Sequence, residues 1–196
     1  MYDPLDYKLS EFNKFEPKKG RILISDPFLP DPYFKRSVVL LVDHHDEGSL
    51  GFIINKPLEI SLDQTELNID NTQHKMYFGG PVQSSDLFYV HNRGNEVEGS
   101  VEIKDGLWWG GNFEIVESML KDGTLNQKDI RFFVGYSGWD ADQLLKEIND
   151  DSWLVADLDL IPIFDTESEN LWSSILEGMD GQISVLSTFP EDPNLN

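Results

Sequence analysis

The 196 residues are 39% hydrophobic and 12% aromatic, which is enough to bury a core and too apolar for a disordered chain. The chain has no cysteine, which excludes a disulfide, a thiolate zinc site and a cysteine nucleophile. Its net charge of -21, from 15 basic and 36 acidic residues, argues against nucleic acids and anionic membrane surfaces as partners, because both attract lysines and arginines.

The amino terminus mixes charged and aromatic residues and lacks the basic and apolar regions of a signal peptide. The longest apolar run, residues 38–42, is too short to cross a bilayer. We therefore expect a cytoplasmic protein that does not bind membranes. We predict an N-terminal appendage at 1–19, a single domain at 20–187 and a loose tail at 188–196.

The first half of the chain is predicted to form short strands separated by turns rich in proline, glycine and asparagine. The strands are predicted at 22–24, 37–43, 50–55, 76–78, 87–91 and 101–103. A loop at 44–48 is expected to join the second and third strands in a hairpin, and Pro57 is expected to end the third strand.

The second half alternates helices with strands. Apolar residues one turn apart predict helices at 112–122 and 140–149 and a third that ends near Gly178. Gly123 is expected to terminate the first helix, and Asp140 to cap the second by accepting its free N–H groups. Thr166 and Glu169 have the spacing of a capping box for the third helix.

Further strands are predicted at 130–136, 153–156, 160–164 and 183–186. Strand hairpins that come first, with helices interspersed later, are typical of an α+β domain with a largely antiparallel sheet and about three helices. The strict strand–helix alternation of a doubly wound fold is missing.

Four sequence blocks occur in an order that resembles the AlgH/YqgE family of bacterial proteins. They are Phe34–Leu41, His44–Pro57, Gly79–Val82 and Gly135–Trp139 followed by Gln143-Leu144. The similarity runs from about Arg21 to Gly181. Asp140-Ala141-Asp142 departs from it, because family members commonly carry Gly-Pro-Gly there.

The resemblance implies a single α+β domain whose sheet curls toward a barrel, in a cytoplasmic bacterial protein. It implies no enzymatic activity, because the family is largely uncharacterised. Some members carry a transcriptional-regulator label, but the acidity of this chain makes direct contact with DNA a poor mechanism.

The glycine clusters allow a structural and a functional interpretation. Gly79-Gly80-Pro81 is either a tight turn that needs glycine or a set of free N–H groups for an anion. Gly135–Trp139 is expected to connect a buried strand to a helix. It is not the nucleophile turn of a serine hydrolase, because Trp139 stands where that turn requires glycine.

The histidines give weak signals. His44 and His45 lie beside Asp46 and Glu47, but adjacent side chains of an extended chain point in opposite directions, so no metal site is predicted. His91, at a strand end, is either a structural histidine or a general base. No cofactor is predicted.

We interpret the sequence as a non-enzymatic regulatory domain that binds a small ligand or another protein, of unknown identity. Its candidate ligand-binding residues are Asn55, Gly79, Gly80, Pro81, His91, Tyr136, Gly138 and Gln143. One alternative is an enzyme in which His91 acts with Ser137 or Tyr136 in a pocket beside Asn55 and the glycine turns. The other is a transcriptional regulator that contacts DNA, which the net charge disfavours.

Overall fold

The computed structural model of this chain describes residues 7–65, 67, 69, 73–157, 163–164, 170–179 and 181–190. The strands within them are β1 Arg21–Ser25, β2 Val38–His45, β3 Gly48–Ile53, β4 Pro57–Ser61, β5 Lys75–Phe78, β6 Val82–His91, β7 Val101–Lys104, β8 Leu107–Trp109, β9 Ile130–Asp140 and β10 Trp153–Asp157. The helices are α1 Leu9–Phe12, α2 Phe113–Lys121, α3 Gln143–Asn149, α4 Leu171–Glu177 and α5 Gln182–Leu186, with a 3-10 turn at Leu62–Gln64.

The predicted α+β class and the largely antiparallel sheet are confirmed. Hydrogen-bonded neighbours follow the order β10-β1-β2-β3-β9-β6-β8-β7, all antiparallel, while β5 runs parallel to β9 and pairs with β4. β9 organises the sheet, because its first half lies between β5 and β6 and its second half pairs with β3. Its first four residues, 130–133, are all buried, as expected for a strand covered on both faces.

The sheet curls without closing. Its two ends are β7 and β10, and within the described chain no strand pairing joins them. Instead the Lys104 Nζ on β7 lies 2.7 Å from the Asp157 Oδ1 on β10. The partly barrel-like shape is therefore that of an open sheet whose ends are linked by an ion pair.

Both faces of the central strands are buried. On one face Leu40 lies opposite Phe52, whose ring stacks on that of Phe133 at a centroid distance of 4.8 Å. On the other face Leu41 belongs to a cluster that α3 covers, and α2 covers a further cluster around Phe132. Burying each such side chain stabilises the fold by about 1.5–3 kcal/mol.

The prediction of a loop at 44–48 is wrong. Both histidines belong to β2, and only residues 46 and 47 separate it from β3. Pro57 begins β4 and does not end the preceding strand. The error arises because an exposed hairpin tip is made of the same polar residues as a loop, so its pattern does not reveal the pairing.

The cluster Gly135–Trp139 does not connect a strand to a helix, because β9 continues through it to Asp140. The β3 strand supplies hydrogen-bonding partners for residues 137–140, which keeps them extended. Asp140 does not cap α3 either. The N-cap residue is Asp142, which has a left-handed φ of 62° and makes no capping bond with its side chain.

The strand predicted at 183–186 is the helix α5. Ile183 and Leu186, three residues apart, are buried together while Val185 is exposed, which is helical spacing. A run of four residues is too short to separate this spacing from that of a strand. The described residues contain five helices where about three were predicted, because α1 and α5 are too short to show periodicity in the sequence. Residues 160–162, Thr166 and Glu169 lie outside the described residues.

Residues of the predicted appendage pack on the domain. Leu9 is 1% exposed and belongs to the main core. The Asn13 side chain donates to Trp153 O at 3.1 Å and accepts from Val155 N–H at 2.6 Å along the outer edge of β10. The domain boundaries at 19 and 187 stay predictions.

Candidate functional site

The glycines predicted as a ligand site, Gly79 and Gly80, lie where the backbone between β5 and β6 passes close to the backbone of β9. We call this place the crossing. A Cβ on Gly79 would lie 2.2 Å from Gly135 O, and one on Gly80 would lie 2.3 Å from the Tyr136 carbonyl carbon. Gly79 N–H already donates to Val134 O at 2.9 Å, so it is not free for an anion. The crossing accounts for these glycines through close backbone approach.

Three further candidates surround this crossing. The Tyr136 ring is half-buried and meets the Phe88 ring edge-on at 5.5 Å, and a Cβ on Gly138 would lie 3.2 Å from the Tyr136 ring. Pro81 is exposed beside it. The crossing therefore gathers five of the predicted residues, which are Gly79, Gly80, Pro81, Tyr136 and Gly138.

Gln143 has a structural role at the start of α3. Its Oε1 accepts the Asp140 N–H at 3.0 Å, and its Nε2 donates to Glu147 Oε1 at 2.9 Å. The other oxygen of Glu147 accepts the indole N–H groups of Trp139, at 2.8 Å, and Trp153, at 2.9 Å. The motif around Trp139 and Gln143 therefore fixes α3 to β9 and β10.

His91 lies at the far end of β6 from the crossing. Val82 pairs with Tyr136 at one end of this strand, and His91 pairs with Ile130 at the other. About nine residues of strand, at roughly 3.3 Å each, separate the two. The structure does not bring His91 to the hydroxyl groups proposed to act with it.

The hydrogen bonds of His91 fix its tautomer. Its Nδ1 accepts the Arg93 N–H at 3.1 Å, so the neutral ring carries its proton on Nε2, which lies 3.1 Å from both Gly110 O and Ser100 Oγ. Such a ring cannot take a proton from Ser100 through Nε2. The side chain is fully buried, and burial lowers its pKa. These contacts are those of a structural histidine.

Two buried imidazoles make the protein sensitive to acid. Burial lowers the pKa of both His91 and His74, the second of which meets the Phe132 ring edge-on. The histidines of the unfolded chain have ordinary pKa values near 6.5. As the pH falls, the unfolded chain therefore binds more protons than the native state, which favours unfolding. We expect the free energy of unfolding to decrease below about pH 6.5, by at most about 1.4 kcal/mol per pH unit for each imidazole.

Urea denaturation between pH 7.5 and 5.5 measures this loss. A His74→Leu variant removes one of the two imidazoles and should lose less stability over this range than the parent protein. Equal slopes in the two proteins would contradict the assignment to His74.

Asn55, the remaining candidate, shapes a loop. It is buried, its Nδ2 donates to Arg36 O at 2.9 Å, and its Oδ1 accepts the Val38 N–H at 2.8 Å. Arg36 has a left-handed φ of 49°. This conformation is strained for a residue with a side chain and is often found at functional sites. Asn55 therefore holds Arg36 in a fixed, strained position.

Arg36 and Asn55 line a cleft of about 390 Å³. Its other lining residues are Pro32, Lys35, Lys56, Asn170, Trp172 and Ser173. We call it the basic cleft, because three of these eight residues are cationic and none carries a carboxylate. In a chain with more than twice as many acids as bases, this is a local reversal of charge.

The Arg36 guanidinium lies 4.8 Å over the Trp172 ring, and its Nη2 donates to Phe189 O. Its Nε is buried and has no acceptor among the described residues. Lys56 Nζ donates to Tyr33 O at 2.8 Å. An arginine whose backbone is fixed and whose guanidinium is packed over an aromatic ring is well suited to bind an oxyanion with its remaining N–H groups.

Sequence reasoning found Asn55 but missed the three cations of the basic cleft. A signal was present, because Lys35-Arg36 precede β2, Lys56 follows β3, and these strands form an antiparallel hairpin. In such a hairpin the start of the first strand lies next to the end of the second strand, so the three cations come together at the same end of the hairpin. Trp172 comes from a distant helix, and no local pattern could place it there.

Metal ligands are not gathered in the described part of the chain, where no three His, Asp or Glu side chains come together. His44 Nδ1 lies 2.7 Å from Ser49 Oγ, and His45 Nε2 lies 3.6 Å from Asp43 Oδ2. Nor is any helix among the described residues both long enough and apolar enough to cross a membrane.

The sequence and the fold match those of known proteins. The AlgH-like family profile matches residues 22–184, and the chain belongs to this family. A UPF0301 protein of Cytophaga hutchinsonii is 41% identical over 179 residues, which cover 91% of this chain and 98% of that protein. A UPF0301 protein of Bacteroides fragilis is 37% identical and covers 94% of both chains.

Two solved structures share the fold. The solution structure of the AlgH protein from Pseudomonas aeruginosa has a TM-score of 0.69 at 29% identity, covering 90% of this chain and 97% of that one. The crystal structure of protein DIP2367 from Corynebacterium diphtheriae has a TM-score of 0.77 at 21% identity, covering 94% and 99%. The family is uncharacterised, so its members do not supply an activity.

Proposed function

We propose that this protein is a non-enzymatic regulatory protein that binds a small anionic ligand in the basic cleft. The observation that carries the proposal is the convergence of Lys35, Arg36 and Lys56 in one polar cleft of a strongly acidic chain. The proposal keeps the cytoplasmic location that the sequence predicts. Regulation would act through the bound ligand and not through direct contact with DNA.

The local charges outweigh the net charge for a small ligand. A unit anion 4 Å from a cation gains about 4 kcal/mol at an effective dielectric constant of 20, whereas charges farther away than about 8 Å are largely screened at physiological ionic strength. A long polyanion would extend beyond the basic cleft and meet the acidic surface. The charge distribution therefore favours a compact anion over a nucleic acid.

The geometry of Arg36 supports the same ligand class. Its guanidinium is packed over the Trp172 ring, and its backbone is held by Asn55. A positioned guanidinium offers paired N–H donors that match two oxygens of a carboxylate or phosphate. Because the side chain is already ordered, little conformational entropy is lost on binding.

Titration calorimetry with inorganic phosphate, pyrophosphate and citrate tests the proposal. We expect at least one of these probes to bind, and Arg36→Gln to weaken its affinity by about tenfold to a hundredfold, the usual loss of hydrogen bonds to a charged group. Lys35→Gln should weaken it less, because lysine contributes a point charge only.

The matched control is Lys121→Gln, which removes a lysine paired with Glu117 on the surface of α2. It should bind like the parent protein. Absence of binding for all three probes, or equal affinities in the Arg36→Gln, Lys35→Gln and Lys121→Gln proteins, would refute the proposal. Far-ultraviolet circular dichroism of each variant checks that it is folded.

A further inference from the structure

A second cleft lies at the end of the sheet, outside the basic cleft and independent of it. The outer edge of β10 is occupied by the Asn13 side chain as far as Val155. Beside this contact a cleft of about 340 Å³ opens between the N-terminal segment, β10 and the helices α4 and α5. We call it the edge cleft.

The surface of the edge cleft is mainly apolar. Leu154 and Ala156 of β10 lie at its base and are themselves 2% and 3% exposed. Its sides include Phe12, Phe15 and Met179. The volume is within the range of about 300–1,000 Å³ that is typical of small-molecule sites. An apolar lining with a few polar groups is typical of such sites too.

The polar groups of the edge cleft are suited to an anion. Lys14 lines it and makes no ion pair with any described residue. Arg21 does not line the cleft itself, but its guanidinium lies 4.8 Å over the ring of Phe15, which does. Among the described lining residues only Asp157 has a carboxylate, and it lies 2.7 Å from Lys104 Nζ, which compensates its charge. An apolar cleft with cations at its rim fits a molecule with a hydrocarbon chain and an anionic head.

We propose that the edge cleft binds a medium-chain fatty acid. Its hydrocarbon chain lies against Leu154, Ala156 and Met179, and its carboxylate lies near Lys14. The burial of methylene groups supplies most of the affinity. The Lys14 ammonium distinguishes the acid from a neutral molecule of the same length, because an exposed ion pair adds a modest contribution.

Titration calorimetry of the full chain with hexanoate, octanoate and decanoate tests the site. We expect the affinity to rise about threefold to fourfold per added methylene until the cleft is filled. Lys14→Gln should weaken octanoate binding about twofold to fivefold and leave octanol binding unchanged. An affinity independent of chain length, or equal effects of Lys14→Gln on octanoate and octanol, would overturn the proposal.

Two substitutions of matched chemistry locate the binding. Met179→Asp places a carboxylate in the cleft and should abolish octanoate binding, whereas Val185→Asp on the exposed side of α5 should not. If Met179→Asp does not fold, Phe15→Ala, at a side chain 40% exposed, takes its place and should weaken binding. Unchanged octanoate binding in Met179→Asp, or in Phe15→Ala where that variant replaces it, refutes the site. Light scattering that shows a dimer dissolved by them would instead assign the cleft to a second copy of the chain, which also overturns the proposal.

Discussion

Replacing Gly79 by alanine should cost about 3 kcal/mol or more of unfolding free energy. The new Cβ would lie 2.2 Å from Gly135 O and 3.0 Å from the Cβ of Phe133. Both atoms belong to β9, which is held by strands on both sides and cannot move away at low cost. Urea denaturation followed by circular dichroism measures the loss.

Two other glycines separate this steric effect from backbone strain. Gly178, at the end of α4, has a negative φ and no close neighbour for a Cβ, so Gly178→Ala should change stability by less than about 0.5 kcal/mol. Gly123 has a φ of +77° in open space, and its alanine variant should lose about 1–2 kcal/mol from strain alone. A loss below 1 kcal/mol for Gly79→Ala would show that the crossing can open to admit a side chain, contrary to the rigid packing expected.

Glu147→Ala should lower the free energy of unfolding by about 2–4 kcal/mol, because it leaves two indole N–H groups without an acceptor at about 1–3 kcal/mol each. Trp139 and Trp153 are 5% and 1% exposed, so water cannot easily replace the carboxylate. The two rings also meet edge-on at 6.0 Å, so a shift of one disturbs the other. Urea denaturation followed by tryptophan fluorescence measures the change.

Glu147→Gln keeps one acceptor oxygen and should lose about half as much, because the remaining hydrogen bonds are no longer charge-assisted. The surface control is Glu117→Ala, which breaks an exposed pair with Lys121 on α2 and should change stability by less than about 0.5 kcal/mol. Equal stabilities of Glu147→Ala and Glu117→Ala would show that the carboxylate does not support the tryptophans.

Elements whose sequence signals lie within a few neighbouring residues were predicted correctly. The helix predicted at 112–122 is α2, and Gly123 follows it with the left-handed φ expected of a terminating glycine. The end of β9 could not be predicted in this way. Residues 135–139 look like a connection, and the pairing of residues 137–140 with β3, which is distant in the sequence, makes this part extended. Long-range pairing overrode the local preference for a turn.

The candidate site shows the same difference between local sequence signals and long-range contacts. The sequence singled out Asn55 as a candidate ligand-binding residue, and the structure uses its side chain for two hydrogen bonds to backbone groups. The grouping of His91 with the glycine turns came from their common position at strand ends. Which ends meet depends on the sheet order, which the sequence alone does not provide. The cleft that Asn55 shapes was missed because its cations converge from two separate loops, and Arg36 packs on a tryptophan of α4.

The Asn13 side chain has a consequence for the molecule in a crowded solution. β10 is a terminal strand, and an uncovered terminal strand offers a row of backbone donors and acceptors to any other extended chain. By using one donor and one acceptor of this row, a single amide blocks the docking of a foreign strand. The N-terminal segment therefore also protects the protein against aggregation by sheet extension.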